Sequence, residues 1–318
     1  MINRFSLNKD SQVIEVASND GYLLKNFVNV GIPVIGIEPA ANVAKIAIAN
    51  GVPTKVLFFG EECARNLRKE GIAADLICAN NVLAHVPDIN DFVKGFSIIL
   101  NTYGVATFEF PHLLNLIRFI QFDTIYHEHY SYLSLITVEK ILNSHGLMVF
   151  DVEELATHGG SLRVYASQLG TRIEEPRVAI LRVKELKAGM SNIKTYTDFS
   201  DRVVTIKSEI LEFFLQLRRE GKKIAGYGAP AKGNTLLNYC GIGPEFLPFT
   251  VDASPHKQGN FLPGSRIPIL APSVLRDHKL DYVLILPWNL KEEISEQLED
   301  MRSLGTRFVT LVPHVSIW

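Results

Sequence analysis

The most restrictive feature of this sequence is an alternation of short apolar segments with helix-like segments. Residues 12–17 (QVIEVA) and 33–38 (PVIGIE) are short and rich in β-branched residues, as expected for strands buried on both faces. A helix-like segment follows each of them, and the alternation continues through strand-like residues 55–59, 75–79 and 105–110. Repeated β-α units of this kind predict a parallel sheet with right-handed crossovers.

The pattern changes after residue 111 and restarts near residue 223. Strand-like residues 148–155 and 161–167 predict a hairpin at the end of the first sheet. Residues 176–219 are polar and rich in helix formers, which indicates helices that link two lobes. The sequence therefore predicts an α/β protein with two Rossmann-like domains. The predicted segments are a first domain at residues 1–170, a helical linker at 171–220 and a second domain at 221–318.

Length and charge exclude several functional classes. The chain has 318 residues, which corresponds to two domains at roughly 150 residues each. The 32 Lys and Arg residues nearly balance the 34 Asp and Glu residues, so the charge gives no support for nucleic acids or anionic membranes as partners.

No apolar run approaches the roughly 18 residues of a membrane span. Three separated cysteines predict no disulfide framework and favour a reducing compartment, the cytoplasm.

The first candidate site lies where the first two predicted strands end, because open α/β sheets bind ligands beyond the carboxyl ends of their strands. The first turn is SNDG at residues 18–21, and Glu38 ends the second strand about 20 residues further on, where a carboxylate can accept hydrogen bonds from ribose hydroxyls. Asn80, after the fourth strand, can add polar groups to the same cleft. This spacing fits both NAD and S-adenosylmethionine. The turn lacks GxGxxG, so a cofactor without a pyrophosphate fits better.

Residues 126–130 (YHEHY) are the densest group of ionisable side chains in the chain and follow the fifth strand. Histidine takes and returns protons near neutrality, a carboxylate can orient the ring, and a tyrosine can hydrogen-bond an oxyanion. A metal site and a structural aromatic cluster are the alternatives. Histidines at i and i+2 do not form the HExxH pattern, so we predict no metal.

A third candidate site is the Gly-rich turn at residues 226–235 (GYGAPAKGNT), between a strand and a helix. Backbone amides at a helix start favour anions, and Lys232 adds a point charge. Residues 251–259 add Lys257 in a second turn. Together these segments can hold a nucleotide diphosphate; the alternative is an ordinary turn with solvated lysines.

Five blocks, in this order, resemble the sugar C-methyltransferase family. They are residues 15–24 (EVASNDGYLL), 79–85 (ANNVLAH), 126–132 (YHEHYSY), 158–163 (HGGSLR) and 226–234 (GYGAPAKGN). The resemblance extends from about Leu7 to the C-terminus. Members of this family are S-adenosylmethionine-dependent enzymes that methylate a carbon of a nucleotide-activated keto-deoxysugar.

The resemblance implies a class I methyltransferase domain that binds S-adenosylmethionine and a C-terminal Rossmann-like domain that binds the sugar nucleotide. By family analogy His129 is the base, and Tyr126, Glu128 and His85 line the reacting centre. The residues assigned to the cofactor are Glu15, Ala17, Ser18, Asn19, Gly21, Glu38, Pro39 and Asn80. The residues assigned to the substrate are Gly228, Ala229, Lys232, Gly233, Asn234 and Lys257.

The implied reaction is deprotonation and methylation of a carbon next to the ketone of a nucleoside-diphosphate 4-keto-deoxysugar, a step of deoxysugar biosynthesis. Typical family members carry an N-terminal zinc-binding module with clustered cysteines, which we expect to be lacking here. Three alternatives stay open: an NAD(P)-dependent oxidoreductase, a non-catalytic sugar-nucleotide-binding protein, and a methyltransferase acting on oxygen or nitrogen. We expect a nucleotide sugar as the ligand and neither a nucleic acid nor a membrane as a partner. The oligomeric state is not predicted.

Overall fold

A computed structural model of the chain describes residues 1–318, apart from the side chain of His158. The chain divides into two units. Unit 1 comprises Met1–Leu113 and Glu128–Ser191, and unit 2 comprises Leu114–His127 and Asn192–Trp318. The segment that we interpret as a helical linker, residues 171–220, contains two helices, and one lies in each unit.

Unit 1 contains a seven-stranded sheet. Its strands are β1 (Val13–Val16), β2 (Val34–Ile37), β3 (Thr54–Lys55), β4 (Ala74–Asn80), β5 (Leu100–Pro111), β6 (Leu147–Leu155) and β7 (Ser161–Gln168). The helices up to the end of this unit are α1 (Lys25–Val28), α2 (Ala41–Ala49), α3 (Glu61–Lys69), α4 (Ile89–Ile99), α5 (Leu113–Arg118), α6 (Leu135–Ser144) and α7 (Pro176–Lys187). All of α5 except its first residue belongs to unit 2.

The strand order of this sheet is β3-β2-β1-β4-β5-β7-β6. Strands β1 to β5 pair in parallel, whereas β7 is antiparallel to β5 and to β6. The predicted parallel sheet with a terminal hairpin is therefore confirmed. Because the order reverses between β1 and β4, the ligand crevice of such a sheet lies beyond the carboxyl ends of these two strands.

Apolar residues cover both faces of the sheet, which explains why β1 is apolar apart from Glu15. Val13 and Leu76 pack with Leu24 and Phe27 on one face. Ile14 packs on the opposite face, in the core cluster that includes α4. A parallel strand covered on both sides has no solvent-facing positions, and all four residues of β1 are buried.

The prediction of a strand at residues 55–59 is wrong beyond Lys55. β3 pairs only with β2, through Gly36 with Thr54 and Ile37 with Lys55, and β2 ends at Ile37. The following residues have no neighbouring strand to supply hydrogen bonds, and the Phe58 side chain is 84% exposed. Apolar content at a sheet edge predicted a strand that has no partner to pair with.

Unit 2 contains a second, six-stranded sheet in the order β10-β9-β8-β11-β12-β13. Its strands are β8 (Ile224–Tyr227), β9 (Thr250–Val251), β10 (Ile269–Leu270), β11 (Tyr282–Ile285), β12 (Arg307–Thr310) and β13 (Ser316–Ile317). Its remaining helices are α8 (Ile193–Arg219), α9 (Ala231–Cys240), α10 (Lys291–Gln297) and α11 (Glu299–Ser303). All pairs are parallel except β12 with β13, so the second Rossmann-like domain is confirmed as well.

The order of this second sheet reverses between β8 and β11, which places a second switch point there. Helices α10 and α11 are separated at Leu298. Within residues 1–318, none of the helices combines the length and the apolar character needed to cross a membrane.

Candidate active site

The turn after β1 adopts an unusual backbone conformation. Ala17, Asn19 and Gly21 all have positive φ, at 55°, 53° and 81°. A Cβ on Gly21 would lie 2.9 Å from Cγ2 of Val52, so this position requires glycine both for its conformation and for space. Left-handed non-glycine residues cost about 1–3 kcal/mol each and concentrate at functional sites.

Glu38 closes this turn from the end of β2. Its side chain is buried, with Oε2 accepting a hydrogen bond from the backbone N–H of Asn19 at 3.0 Å and Oε1 accepting one from Ala40 N–H at 2.8 Å. A carboxylate has about four acceptor positions, so each oxygen keeps one for a ligand hydroxyl. Ser18 is buried in the same turn, whereas Pro39 is exposed after it.

Glu15 supplies a buried carboxylate at the same place. The residue is 2% exposed, and its Oε2 has no hydrogen-bond partner among the described residues. Burial raises the pKa of Glu15 to about 8, and the charges of Asp20 and Glu38 add to this shift. The acidic side chains of Glu15, Asp20 and Glu38 around one turn disfavour a pyrophosphate and favour a cation, and a bound cation in turn favours the ionised form of Glu15.

These residues fit S-adenosylmethionine better than NAD. S-adenosylmethionine carries a sulfonium, an ammonium and a ribose but no phosphate, whereas NAD carries a pyrophosphate. The carboxylates of Glu15 and Glu38 match the cationic groups and the ribose hydroxyls respectively. The backbone of residues 17–21 and Asn80, at the end of β4, complete the set that would hold the cofactor.

An ion pair also lies at this edge of the sheet, and our sequence reasoning did not select it. Glu109 of β5 is paired in register with Asn80 and with Arg163 of β7. It is buried, and its Oε2 accepts hydrogen bonds from Nη2 and Nε of Arg163 at 2.8 and 3.2 Å. The signal in the sequence is a glutamate inside the apolar run VATFEF, since a charge in a buried strand requires a partner.

The structure brings His85 and His129 together within unit 1. Their ring centroids lie 4.7 Å apart at an interplanar angle of 68°, and both side chains are half-buried. His85 lies in the short helical turn Leu83–His85 after β4. The backbone N–H of Tyr130 donates to the carbonyl of Ala84 at 2.8 Å, which fixes the 129–130 segment beside that turn. The ring of Tyr132 packs edge-on against His129, with centroids 5.7 Å apart.

The orientation of the His85 ring follows from one hydrogen bond. Its Nδ1 lies 3.0 Å from the carbonyl oxygen of Glu128, and because a carbonyl only accepts, Nδ1 carries the proton. Nε2 is therefore the nitrogen that remains for a ligand. Glu128 acts here through its backbone, while its side chain is exposed.

The predicted motif at residues 126–130 spans the boundary between the units. Tyr126 belongs to unit 2, and Glu128 and His129 belong to unit 1. Among the residues that the structure describes, no group of three or more His, Cys, Asp or Glu side chains is arranged to hold a metal ion.

The Gly-rich turn of unit 2 lies at the second switch point. Gly228 has a φ of 91°, and a Cβ there would lie 2.6 Å from Cδ of Pro287, in the segment after β11. Gly233, in the first turn of α9, approaches Leu286 in the same way, with its Cβ position 2.9 Å from that of Leu286. The turns after β8 and β11 therefore touch, and glycine permits this approach.

Lys257 is exposed, but its ammonium is bonded to the Gly-rich turn. Lys257 Nζ donates to the Ala229 carbonyl at 3.0 Å and lies 3.3 Å from Oδ2 of Asp252, which also accepts from Ala229 N–H at 2.7 Å. Asp252 follows β9 as Glu38 follows β2. Applying the first-site spacing to the second domain finds this residue, which our selection omitted.

Lys232 lies in the first turn of α9, beside the same crevice. Its Nζ donates to Oδ1 of Asn289 at 2.7 Å and lies 4.4 Å from the ring centroid of Trp288. Burial lowers the pKa of Lys232, and the negative charge of Asp123 opposes that shift. Asn234 follows Gly233 within α9, and its carbonyl accepts a hydrogen bond from Asn238 Nδ2 at 2.9 Å.

Known families match both halves of the chain. The family described as "Methyltransferase domain" matches residues 1–152, and the family described as "C-methyltransferase C-terminal domain" matches residues 156–313. The C-methyltransferase NovU of Streptomyces niveus is 37% identical over 313 residues, which are 98% of this chain and 74% of that protein. The chain belongs to the C-methyltransferase family.

The C-methyltransferase assignment confirms the resemblance found in the sequence, and with it an S-adenosylmethionine-dependent enzyme. Parts of this C-methyltransferase are also similar to solved structures. An S-adenosylmethionine-dependent methyltransferase from Anabaena variabilis shares 15% identity and a TM-score of 0.43, over 52% of this chain and 82% of that chain. The magnesium protoporphyrin IX methyltransferase of Synechocystis with bound S-adenosylmethionine shares 14% identity and a TM-score of 0.38, over 50% of this chain and 70% of that chain.

Proposed function

We propose that this C-methyltransferase methylates a carbon next to the ketone of a nucleoside-diphosphate 4-keto-deoxysugar, as a step of deoxysugar biosynthesis. The observation that carries the proposal is the contact between the imidazole rings of His85 and His129, whose centroids lie 4.7 Å apart. His85 follows β4, the strand that pairs with β1 at the switch point. Methyl transfer to carbon requires a base that acts on a C–H bond, and two adjacent imidazoles supply a base and a second proton-handling group.

The C–H bond next to a ketone is the acidic one, because the carbanion formed from it is an enolate. His129 removes this proton, and His85, through Nε2, donates to the developing oxyanion when its ring is protonated. The Glu128 carbonyl holds His85 in the orientation for this role. When bound, S-adenosylmethionine supplies an electrophilic methyl group on its sulfonium. The protein then needs to supply only the base and the alignment of the reacting carbon.

The nucleotide half of the substrate is assigned to unit 2. A diphosphate is an anion, and the switch point of this sheet presents the N-terminus of the ten-residue helix α9 with Lys232 in its first turn. We assign Gly228, Ala229, Gly233 and Asn234 to the wall of this site. The Ala229 N–H already donates to Asp252, so the polar groups for the ligand are Lys232 and the Asn234 side chain. Lys257, tied to Asp252 and Ala229, shapes the turn and contributes charge.

We expect the nucleotide sugar to be the ligand of this enzyme, with neither a nucleic acid nor a membrane as a partner. The three cysteines are free thiols, which suits the cytoplasm. Tyr126 is a second candidate donor to the enolate oxygen, and it precedes His129 on the same segment.

The proposal is tested by incubation with S-adenosylmethionine carrying a ¹³C-methyl group and a panel of dTDP- and UDP-linked 4-keto-deoxysugars. NMR of the product distinguishes a methyl group bonded to carbon from one bonded to oxygen or nitrogen. We expect at least one sugar to gain a single carbon-bound methyl. Methylation of oxygen or nitrogen alone, or no methylation of any keto-sugar by protein that binds the cofactor, contradicts the proposal.

A further inference from the structure

The segment that precedes the catalytic motif is anchored on unit 2. The ring of Phe122 packs on Tyr239 of α9, with centroids 5.2 Å apart. Arg202 of α8 donates from its guanidinium to the backbone carbonyls of Ile117 and Arg118, each at 3.1 Å. Asp123 follows Phe122 in the short helical turn Phe122–Thr124, just before Tyr126.

Asp123 is a fully buried carboxylate that the reaction itself does not use. Its Oδ2 accepts a hydrogen bond from the indole Nε1–H of Trp288 at 2.6 Å, and its Oδ1 has no hydrogen-bond partner in the described part of the chain. Burial raises the pKa of Asp123 to about 6, while the hydrogen bond from Trp288 and the charge of Lys232 limit the rise. A buried charge is costly unless a partner compensates it.

The compensating charge is Lys232. Its ammonium lies over the face of the same indole whose N–H binds Asp123, and Asn289 accepts its hydrogen bond. A lysine side chain is a flexible point charge, and these contacts restrict it to one position at the switch point. Asp123 therefore fixes the indole plane through a hydrogen bond and stabilises the charged state of Lys232 through its own charge.

We propose that Asp123 is a positioning residue of the nucleotide-sugar site, which together with Trp288 holds the Lys232 ammonium where a diphosphate binds. This inference rests on the proposed function, in which Lys232 contacts the diphosphate. It adds a residue that touches neither substrate nor cofactor and that acts through Lys232. It also gives Trp288 a function as the connection between the two charges.

The test is a double-mutant cycle in which calorimetry measures the affinity of the full chain for UDP and for dTDP. Lys232→Ala removes the charge, and we expect its affinity for the probe to fall about tenfold or more. Asp123→Asn keeps the shape of the side chain but loses its charge, and we expect a loss of about fivefold. Because Asp123 acts through Lys232, Asp123→Asn adds less than about twofold in the Lys232→Ala background.

A second pair of variants separates the hydrogen bond from the packing and covers the case that Asp123→Asn fails to fold. Trp288→Phe keeps a ring face for the ammonium but removes the N–H donor, so we expect weaker probe binding. Trp318→Phe is the matched control, because Trp318 Nε1 donates to Ser295 elsewhere in unit 2, at 3.3 Å. We expect this control to bind the probes as the unsubstituted protein does.

The outcomes distinguish this inference from the function on which it rests. If Lys232→Ala weakens probe binding but Asp123→Asn and Trp288→Phe do not, the inference is wrong and the proposed function stands. Equal losses from Asp123→Asn with and without Lys232 show a general structural role and also overturn the inference. If the unsubstituted protein binds neither UDP nor dTDP, or if Lys232→Ala binds them normally, the proposed nucleotide site itself is contradicted.

Discussion

The imidazole rings of His85 and His129 meet edge to face, with centroids 4.7 Å apart, while the carbonyl of Glu128 accepts the hydrogen bond from Nδ1 of His85. One hydrogen bond thus orients the ring that lies against the proposed base. His85 and Glu128 are 43 positions apart in the sequence, and His129 follows Glu128. The contact between the two histidines therefore depends on the fold rather than on local sequence. The two rings are expected to have different roles, which substitution separates.

Replacing His129 with asparagine removes the proton acceptor but keeps a polar side chain of similar shape. We expect kcat for methyl transfer to fall about 10²–10⁴-fold, the usual contribution of a general base. Affinity for S-adenosylmethionine should stay within about twofold, because the residues proposed to hold the cofactor, Glu15 and Glu38, are unchanged. Turnover with ¹³C-labelled cofactor and calorimetry measure the two quantities, and turnover close to that of the unsubstituted enzyme removes His129 from its role.

Replacing His85 with glutamine tests its proposed role as the donor to the enolate oxyanion. We expect kcat to fall about 10²-fold, as for removal of one oxyanion donor, with KM for the keto-sugar changed less than about threefold. Steady-state kinetics gives this division between kcat and KM. A rise in KM with kcat unchanged means that His85 binds the substrate without stabilising the transition state.

Affinity for S-adenosylmethionine should rise with pH. Glu15 has a pKa of about 8, so it is mostly neutral at pH 6.5 and mostly a carboxylate at pH 9. The cationic cofactor favours the carboxylate, and its binding near pH 7 should release a proton. Calorimetry in buffers of different ionisation enthalpy measures that release. In Glu15→Gln we expect weaker binding without this pH dependence; an unchanged pH dependence in that variant excludes Glu15 as its source.

The same residue predicts how the stability of the cofactor-free protein depends on pH. The folded-state pKa of Glu15 lies above its ordinary value of 4.5, so its contribution is fully present below pH 4.5 and is lost as the pH rises through about 8. Glu15→Gln should therefore raise the melting temperature by a few degrees at pH 9 and by less at pH 4.5. Glu209→Gln, on the exposed face of α8, is the control and should show no such trend.

Gly228→Ala should weaken nucleotide binding and destabilise unit 2. The new Cβ would lie 2.6 Å from Cδ of Pro287, in addition to the strain of a positive φ. Gly221→Ala is a matched control with a φ of 67° and no atom within 4 Å of its Cβ position. We expect Gly228→Ala to cost about 1–3 kcal/mol more than the control in thermal unfolding, together with weaker UDP binding. Equal effects of the two substitutions would show that the close approach to Pro287 is unimportant.

The sequence predicted those parts of the fold that depend on local patterns. Strand β1 and strand β2 are short, apolar and followed by helices, so their parallel pairing could be expected. The end of β3 could not, because it depends on where β2 stops supplying partners. The division of residues 126–130 between the two units likewise depends on long-range packing of the preceding segment, which local pattern does not contain.

Candidate site residues can be proposed from sequence where a motif stands at a strand end, and less readily inside strands and connecting segments. Glu38 stands at a known spacing from the first turn, whereas Glu15 and His129 stand in blocks that resemble the family. Asp123 is a single carboxylate in an irregular segment. Its proposed role depends on Trp288, which lies 165 positions further along the sequence. A charged residue in an otherwise apolar environment is the available signal, and it indicates that a partner exists without naming it.

The central claim, that His129 removes a proton from the carbon to be methylated, is tested most directly by hydrogen exchange. The keto-sugar is incubated in D₂O with enzyme and S-adenosylhomocysteine, which cannot donate a methyl group, and deuterium at the carbon next to the ketone is followed by NMR. The account predicts enzyme-dependent exchange that His129→Asn abolishes while the variant still binds UDP or dTDP. Exchange by His129→Asn at the rate of the unsubstituted enzyme would contradict it.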